Sequence, residues 1–300
     1  MSIDNLSHEQ SHAAPESTSG QVTEECAQRA IAEDIRRGAT VEAVVQKAAA
    51  MGMEAAHAEK YAESAIVEYL TERGARIDAS ALDVMPEPPL ADAPTTLWAG
   101  DREVRVLMSI QHPRIVLFGD FLAHNECDAL IEMAGDRIVR STTLDVETGQ
   151  GQQHEARTSR SMCFERGQTD LLKAIERRIS ALLNWPVEKG EGIQVLSYEP
   201  GQEYKPHYDY FDPVHAGSRL TLRRGGQRLA TVLMYLSTPD KGGATVFPNA
   251  RTEIMPVKGN AVFFSYDSPS PETGSFHGGS PVIAGRKWVA TKWLREHDFS

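Results

Sequence analysis

Three residues far apart in the chain have the types needed to hold a metal ion. His207 and Asp209 are two residues apart in a stretch predicted to be extended, and His277 comes much later. Because side chains of a strand alternate between its faces, His207 and Asp209 point to the same side and can reach one ion. Two imidazoles and one carboxylate on one face of an octahedron leave positions open, as in Fe(II)-dependent oxygenation. The pattern predicts a redox metal site with His277 as the third ligand.

A lysine ten residues after His277 indicates what else the site binds. Lys287 precedes residues 288–294, whose alternation predicts a strand. A lysine that points inward from a core strand is costly unless it meets an anion. A dicarboxylate cosubstrate would supply that anion.

Five ordered stretches carry a resemblance to a known family. They are residues 204–210, 228–236, 242–248, 259–264 and 277–293. Together they resemble the catalytic domain of prolyl 4-hydroxylases, which are 2-oxoglutarate- and Fe(II)-dependent dioxygenases. The similarity runs from about residue 114 to the end. The resemblance implies that a peptidyl proline is hydroxylated at C4 with O2 while 2-oxoglutarate is decarboxylated to succinate and CO2. It also implies ascorbate as the reductant.

The resemblance assigns roles to individual residues. It implies that His207, Asp209 and His277 hold Fe(II). It also implies that Lys287 pairs with the distal carboxylate of 2-oxoglutarate. The other matching positions are Tyr198 and Thr245 as further cosubstrate contacts, and Tyr204, Arg228 and Trp293 in the proline pocket.

Some of these positions also have a purely structural explanation. Tyr198 could be a core tyrosine with a satisfied hydroxyl, and Thr245 an ordinary strand residue. The aromatic pair Tyr204 and Trp293 could be simple core, with Arg228 a surface cation. The sequence alone leaves both readings open.

Two other functions remain open. The same scaffold could hydroxylate a free amino acid or another small molecule; a wide groove would favour a peptide and a closed pocket a small molecule. The chain could also be an inactive peptide-binding module, although the intact ligand set argues against it. The loop 214–226 is longer and more basic than is usual for the family, so peptide contacts there cannot be carried over.

Composition restricts the partners. With 300 residues, 41% of them hydrophobic and 24% charged, the chain is predicted to be globular. A net charge of −11 argues against a nucleic-acid binder, which needs cations to neutralise phosphates. No apolar run approaches the roughly 20 residues of a membrane helix, and the start does not resemble a secretory signal. We therefore expect no membrane partner and a cytoplasmic location. Three widely spaced cysteines argue against a disulfide framework.

The sequence predicts four parts. Residues 1–22 are polar and predict a disordered tail. Residues 23–76 carry three apolar stripes at helical spacing, which predict a small helical bundle that could bind a protein partner. Residues 77–97 contain four prolines and predict a linker, and residues 98–300 would form the dioxygenase domain.

Short strands must position the site. They are predicted at residues 104–108, 115–118, 193–198, 229–236, 245–247, 260–264 and 288–294, with helices that begin at Asn125 and near Leu171. Turns rich in Gly, Pro and Asn separate them, which predicts an α+β fold with a double-stranded β-helix, or jelly roll, backed by helices. The polar segment 141–161 has no apolar period. In the family that the chain resembles, this region is a mobile lid over the peptide, and we expect the same here.

Overall fold

A computed structural model describes residues 27–34, 41–54, 56–58, 61–62, 85–144, 151–152 and 154–299. The chain divides into two compact units, residues 1–73 and 74–300. The predicted tail and the first part of the predicted linker, residues 77–84, lie outside the described residues. No helix in the described ranges is long and apolar enough to cross a membrane.

The described part of the first unit is mostly helical. Helix α1 (Val41–Ala50) follows residues 27–34, which are also helical. Ile31, Val44 and Ala48 are buried together with other small apolar residues. Val44 and Ala48 are four residues apart, so they share one face of α1. A bundle over the whole of residues 23–76 stays a prediction, because residues 63–76 lie outside the described ranges.

The second unit is mostly sheet. Its strands are β1 (Thr96–Trp98), β2 (Glu103–Ile110), β3 (Arg114–Gly119), β4 (Val139–Arg140), β5 (Thr143–Leu144), β6 (Gly151–Gln152), β7 (Arg160–Cys163), β8 (Gln194–Tyr198), β9 (Tyr204–His207), β10 (Arg228–Tyr235), β11 (Lys241–Gly242), β12 (Thr245–Phe247), β13 (Thr252–Ile254), β14 (Ala261–Ser265), β15 (His277–Gly279), β16 (Val282–Ala284) and β17 (Lys287–Arg295). Its helices are α2 (His124–Ala134), α3 (Asp170–Leu183) and α4 (Ala216–Leu222). One sheet has nine strands in the order β1-β2-β3-β14-β10-β17-β8-β7-β4, and a second has four in the order β13-β12-β15-β9. The short pairs β11-β16 and β5-β6 complete the set.

Successive side chains of the central strands point to opposite faces of the sheet and belong to two different cores. On β14, Phe263 joins a core shared with α2 and α3, whereas its neighbour Phe264 joins a second core. Phe247 of the four-stranded sheet belongs to that second core, so it lies between the two sheets. The nine-stranded sheet is therefore covered on both faces, and the double-sheet core of the predicted jelly roll is present.

Helix α3, which packs on the nine-stranded sheet, has sequence features that explain where it begins and ends. It begins where the Thr169 hydroxyl accepts a hydrogen bond from the Leu172 amide at 3.2 Å. It ends at Asn184, which has the left-handed φ of 48° common at helix ends. Between them, apolar residues three and four apart face the sheet. The helix therefore begins close to where its apolar pattern predicts.

The polar segment 141–161 is more regular than its sequence predicts. It contains β5 and β6 and the start of β7, which pairs with β8. Buried hydroxyls of Ser141, Ser159 and Ser161 are joined by hydrogen bonds of 2.9 Å. Because polar side chains satisfy one another in the interior here, no apolar period marks the strands. Residues 145–150 and 153 lie outside the described ranges, so lid motion stays a prediction.

Residues 85–97, the second part of the predicted linker, belong to the second unit and pack against the rest of it. Arg114 Nε donates to Glu87 Oε1 at 2.8 Å, and the Thr95 carbonyl accepts from the Val106 amide at 2.8 Å. Met85 contacts the core under α3. Proline-rich chain can dock in this way because it needs few backbone donors. The linker prediction therefore remains for residues 77–84 alone.

Candidate active site

Two neighbouring strands bring the predicted metal ligands together. His207 ends β9, His277 begins β15, and the two are opposite partners in the antiparallel pairing. Asp209 follows β9 by two residues. Its Oδ1 lies 3.6 Å from His207 Nε2, and its Oδ2 lies 3.5 Å from His277 Nε2. The three side chains converge as the sequence predicts.

Both histidine rings are held with Nε2 toward the carboxylate. Nδ1 of His207 donates to the Lys205 carbonyl, and Nδ1 of His277 donates to the Ser275 carbonyl, each at 2.9 Å. These bonds fix the tautomer that leaves Nε2 as a ligand. Burial lowers the pKa of His277 to about 4, although Asp209 acts in the opposite direction. The ring is therefore neutral near pH 7, as metal binding requires.

Two hydroxyls fix the aspartate. Thr231 Oγ1 donates to Asp209 Oδ2 at 2.7 Å, and Tyr266 Oη lies 2.9 Å from Thr231 Oγ1. Because the Thr231 proton is already used, Tyr266 must be the donor of the second bond. Burial acts to raise the pKa of Asp209, but His277 and His207 outweigh it and hold the pKa well below its usual range. Asp209 is therefore ionised and oriented.

The donor set fits Fe(II). Metal bonds to imidazole and carboxylate are about 2.0–2.2 Å long, so adjacent donors around an octahedral ion lie roughly 3 Å apart. The observed separations of 3.5 and 3.6 Å need only a small adjustment. Among the described residues, these three form the one group of candidate metal ligands whose donor atoms all lie within 4.8 Å. Three ligands on one face leave room for further ones.

Lys287 enters the same pocket from the first position of β17. Its side chain is only 4% exposed, and its Nζ lies 5.5 Å from the centre of the Tyr198 ring. Burial lowers the pKa of Lys287 to about 7, and no carboxylate of the described chain pairs with it. A buried cation without an anion is costly, so the pocket is suited to an anionic ligand.

Tyr198 and Thr245 line this pocket together with Lys287. Both are buried. The hydroxyl of Tyr235 donates to Thr245 Oγ1 at 2.8 Å. Thr245 therefore keeps its own proton available for a ligand. The sequence did not single out Tyr235.

A wider groove outside this pocket carries the residues predicted for proline. The Tyr204 ring stacks on His207 with ring centres 3.7 Å apart. The Arg228 guanidinium lies 3.9 Å from the centre of the Trp293 ring and donates to both Glu191 oxygens at 2.6 and 2.8 Å. Tyr204 and Trp293 face the cavity, and Arg228 is a held cation in the groove wall. Lining a cavity does not decide between a substrate contact and a structural role, so both readings of these three residues stay open.

Comparisons with known proteins agree with this geometry. Residues 193–295 match the model of the 2OG-Fe(II) oxygenase superfamily. Prolyl 4-hydroxylase 5 of Arabidopsis thaliana is 41% identical over 221 residues, which cover 67% of this chain and 74% of the relative. The chain belongs to the prolyl 4-hydroxylase family. Probable prolyl 4-hydroxylase 8 of the same plant is 39% identical over 222 residues, with the same two coverages.

A solved structure in the same family is also similar. It is the viral collagen prolyl hydroxylase of Paramecium Bursaria Chlorella virus-1 in its 2OG complex. It is 30% identical, with a TM-score of 0.47, and the match covers 60% of this chain and 95% of that one.

All nine residues predicted for a prolyl 4-hydroxylase site line two adjoining cavities. The inner pocket contains the metal ligands, Lys287, Tyr198 and Thr245. Tyr204 and Trp293 line both cavities, and Arg228 lines the outer groove. Their individual roles in cosubstrate and substrate binding stay predictions.

Several neighbours of these residues were missed by the sequence analysis. Glu191 and Thr231 are examples, since each acts on a residue many positions away. Arg157 is another: its guanidinium lies 4.8 Å from the centre of the Tyr204 ring. One available signal was alternation, because Thr231 and Tyr235 share one face of β10.

Proposed function

We propose that the chain hydroxylates C4 of a proline in a protein or peptide, with O2 and 2-oxoglutarate, which becomes succinate and CO2. One observation carries the proposal. A two-histidine, one-aspartate face shares a pocket with a buried lysine that has no anionic partner in the described chain. The similarity to prolyl 4-hydroxylases 1 and 5 of Arabidopsis thaliana supports proline as the target.

His207, Asp209 and His277 would hold Fe(II). When bound with 2-oxoglutarate and O2, it supplies the oxidising chemistry that side chains lack. Thr231 keeps the Asp209 carboxylate in place by its 2.7 Å hydrogen bond. No side chain has to act as a general base with a pKa near 7.

Lys287, Thr245 and Tyr198 would bind the distal carboxylate of 2-oxoglutarate. An anion beside Lys287 favours the protonated amine, so its pKa rises when the cosubstrate binds. Thr245 can donate its hydroxyl proton because Tyr235 supplies the bond that Thr245 accepts. A charge-assisted contact of this kind contributes about 1.5–3 kcal/mol.

The outer groove supports a peptide substrate over a small molecule. Its lining includes Arg228, Trp293 and Tyr208 together with Gln152 and His154 of the polar segment. A free amino acid would leave most of this surface uncovered. A peptide in extended or polyproline form fits a long groove with aromatic residues.

Three further expectations belong to the proposal. We expect ascorbate to sustain turnover, the protein to work in the cytoplasm, and the N-terminal helices to bind a protein partner. The first follows from the family and is tested by turnover with and without ascorbate. The other two follow from composition and from the apolar helical pattern of residues 23–76.

Succinate release tests the proposal directly. Iron-loaded full-length protein is supplied with 2-oxoglutarate, O2 and a panel of proline-containing peptides, and peptide mass is followed in parallel. We expect peptide-stimulated succinate and a gain of one oxygen on proline. Peptide-independent succinate would favour a small-molecule substrate. No succinate from metal-loaded protein would favour the binding module.

Two histidine variants make the test specific. His277→Ala should abolish turnover and weaken Fe(II) binding while circular dichroism is unchanged. His297→Ala is the matched control, since His297 is 70% exposed and lines neither cavity. Equal turnover in the two variants would remove His277 from the metal site.

A further inference from the structure

The groove outside the metal pocket has a charge balance opposite to that of the chain. The chain carries a formal net charge of −11. The groove is lined by five cationic residues and three carboxylates, namely Arg157, Lys205, Arg224, Arg228, Arg295, Glu191, Asp209 and Asp212. Cations therefore outnumber acids at the place where a peptide would bind.

All three carboxylates are already engaged, since Asp212 Oδ1 accepts from the Val214 amide at 2.9 Å. Asp209 faces the metal site. Glu191 accepts from Arg228 at 2.6 and 2.8 Å and from Arg295 at 2.9 Å. Glu191 carries one negative charge and the two guanidinium groups carry two positive charges. This cluster of three residues therefore has one positive charge in excess.

Arg157 adds a cation held by neutral groups. Its guanidinium donates to the Thr142 carbonyl at 2.9 Å and to Gln194 Oε1 at 2.7 Å. The residue is 8% exposed, and its Nε has no hydrogen-bond partner in the described part of the chain. A buried cation in a neutral setting favours an anion nearby.

The unusually basic loop 214–226 forms part of the groove rim. Arg295 Nη2 donates to the Thr221 carbonyl at 3.0 Å, which fixes the end of helix α4 against the groove. Arg224 follows this helix, is exposed, and lies with its guanidinium 4.3 Å from the centre of the Phe299 ring. The position of this cation is therefore supported by an aromatic contact.

Lys205 stands on β9, next to the residues that reach the metal. Its side chain is 61% exposed, and its Nζ lies 3.6 Å from Glu203 Oε1. An exposed ion pair of this kind contributes little, so Lys205 can exchange Glu203 for a ligand carboxylate. Lys205 and Arg224 thus place exposed cations at two positions around the groove.

We infer that the groove selects proline-containing peptides with acidic side chains next to the target proline. The inference rests on the proposed function and adds the substrate class. Complementary charge raises the rate of encounter and suppresses partners of the wrong sign. Buried cations in the wall add to the attraction because little water screens them.

Three peptides of equal length test the inference on the full-length, iron-loaded protein. Each contains one proline, flanked by Asp and Glu, by Ser and Gln, or by Lys. We expect kcat/KM to be about tenfold higher for the acidic than for the neutral peptide, lowest for the basic one, and the difference to shrink as salt is added. Equal values for all three peptides would overturn the inference and leave the proposed function standing.

A charge-reversal pair locates the effect. Arg224→Glu should remove most of the acidic preference and improve turnover of the basic peptide. Arg223→Glu makes the same charge change on the same loop, but Arg223 does not line the groove, so it should keep the preference. The same loss in both variants would mean that net charge, and not the groove, is responsible.

Direct binding separates the two possible failures. If no peptide is hydroxylated, the proposed function fails, and the dissociation constants of the three labelled peptides still measure the charge preference. Tighter binding of the acidic peptide, weakened by Arg224→Glu, would then support the groove assignment. Equal dissociation constants would overturn it.

Discussion

Two lysines on one strand have opposite environments. Lys287 and Lys292 both lie on β17 and are 4% and 1% exposed. They are five positions apart, an odd number, so they point to opposite faces of the sheet. Lys292 faces α3, where its Nζ donates to Glu176 Oε1 at 2.7 Å. Lys287 faces the metal pocket and has no acidic partner among the described residues.

The difference shows that burial alone does not identify a binding residue. Burial lowers the pKa of both lysines, but at Lys292 the Glu176 carboxylate acts against it. The other oxygen of Glu176 accepts from the Gly167 amide at 2.9 Å, so the pair is satisfied within the protein. Lys292 therefore stabilises the contact between helix and sheet, whereas no carboxylate of the described residues pairs with Lys287.

The largest expected effect is on stability. Lys292→Met leaves the Glu176 carboxylate buried without its cation, and breaking such a pair costs about 3–5 kcal/mol in the free energy of unfolding. Urea denaturation of wild type and variant measures it. The double variant Lys292→Met, Glu176→Leu should recover most of the loss, because an apolar pair leaves no uncompensated charge. A single variant as stable as wild type would contradict the structural role.

Lys287→Met should not reduce stability, but it should weaken cosubstrate binding. It removes a cation with no partner in the described chain, so the free energy of unfolding without cosubstrate should stay equal or rise. The dissociation constant for 2-oxoglutarate should rise roughly 10- to 150-fold, which corresponds to about 1.5–3 kcal/mol. Anaerobic titration of the Fe(II)-loaded protein measures the binding. Unchanged affinity would place the cosubstrate carboxylate elsewhere.

The sequence predicts the orientation of Lys287 but not the partner of Lys292. The inward orientation of Lys287 follows from alternation along β17, and the convergence of His207 and Asp209 follows from their spacing. The partner of Lys292 could not be found, because Glu176 lies on a helix 116 positions away. No periodicity encodes which face of a helix meets which strand.

The same limit applies to the second layer of the site. Thr231 reaches Asp209 across 22 positions, and Glu191 reaches Arg228 across 37. No local sequence pattern marks Thr231 or Glu191 as a residue that supports the site. Strands β4 to β7 were missed for another reason, since the buried side chains in and beside them include serines that satisfy one another. Local patterns thus predict the long strands of the nine-stranded sheet and the metal ligands, but not the short strands β13 and β15 of the second sheet or the residues that support the site.

The free energy of unfolding should depend on pH through the Lys287 amine. Its pKa is about 7 in the folded protein without cosubstrate and roughly 10.4 in the unfolded chain. Between these values the unfolded chain holds a proton that the folded pocket does not. The free energy of unfolding should therefore rise with pH by up to about 1.4 kcal/mol per unit relative to Lys287→Met. Below about pH 7 both states are protonated and the difference is constant.

Binding of 2-oxoglutarate should show the opposite slope. The anion needs the protonated amine, so affinity should fall above about pH 7, by up to tenfold per unit, until the bound state also loses its proton. Titrations at several pH values measure the slope, and Lys287→Met is the control that should lack it. A flat profile in wild type would show that the cation of Lys287 does not contribute to binding.

The smallest effect should come from the Tyr235 hydroxyl, which donates to Thr245. Tyr235→Phe removes the hydrogen bond that Thr245 accepts and leaves the ring in place. We expect the free energy of 2-oxoglutarate binding to change by the value of one such bond, about 0.5–1.5 kcal/mol. Because Thr245 can then turn its proton away from the ligand, 2-oxoglutarate affinity should fall by roughly 2- to 10-fold. Fe(II) affinity should not change, since the Tyr235 hydroxyl donates to Thr245, which is not a metal ligand, whereas Thr231→Val should weaken Fe(II) binding by about 10- to 100-fold. If Tyr235→Phe weakened Fe(II) binding as well, the two hydroxyl pairs would not serve separate ligands, and unchanged 2-oxoglutarate affinity would mean that Thr245 does not help Lys287 to bind the anion.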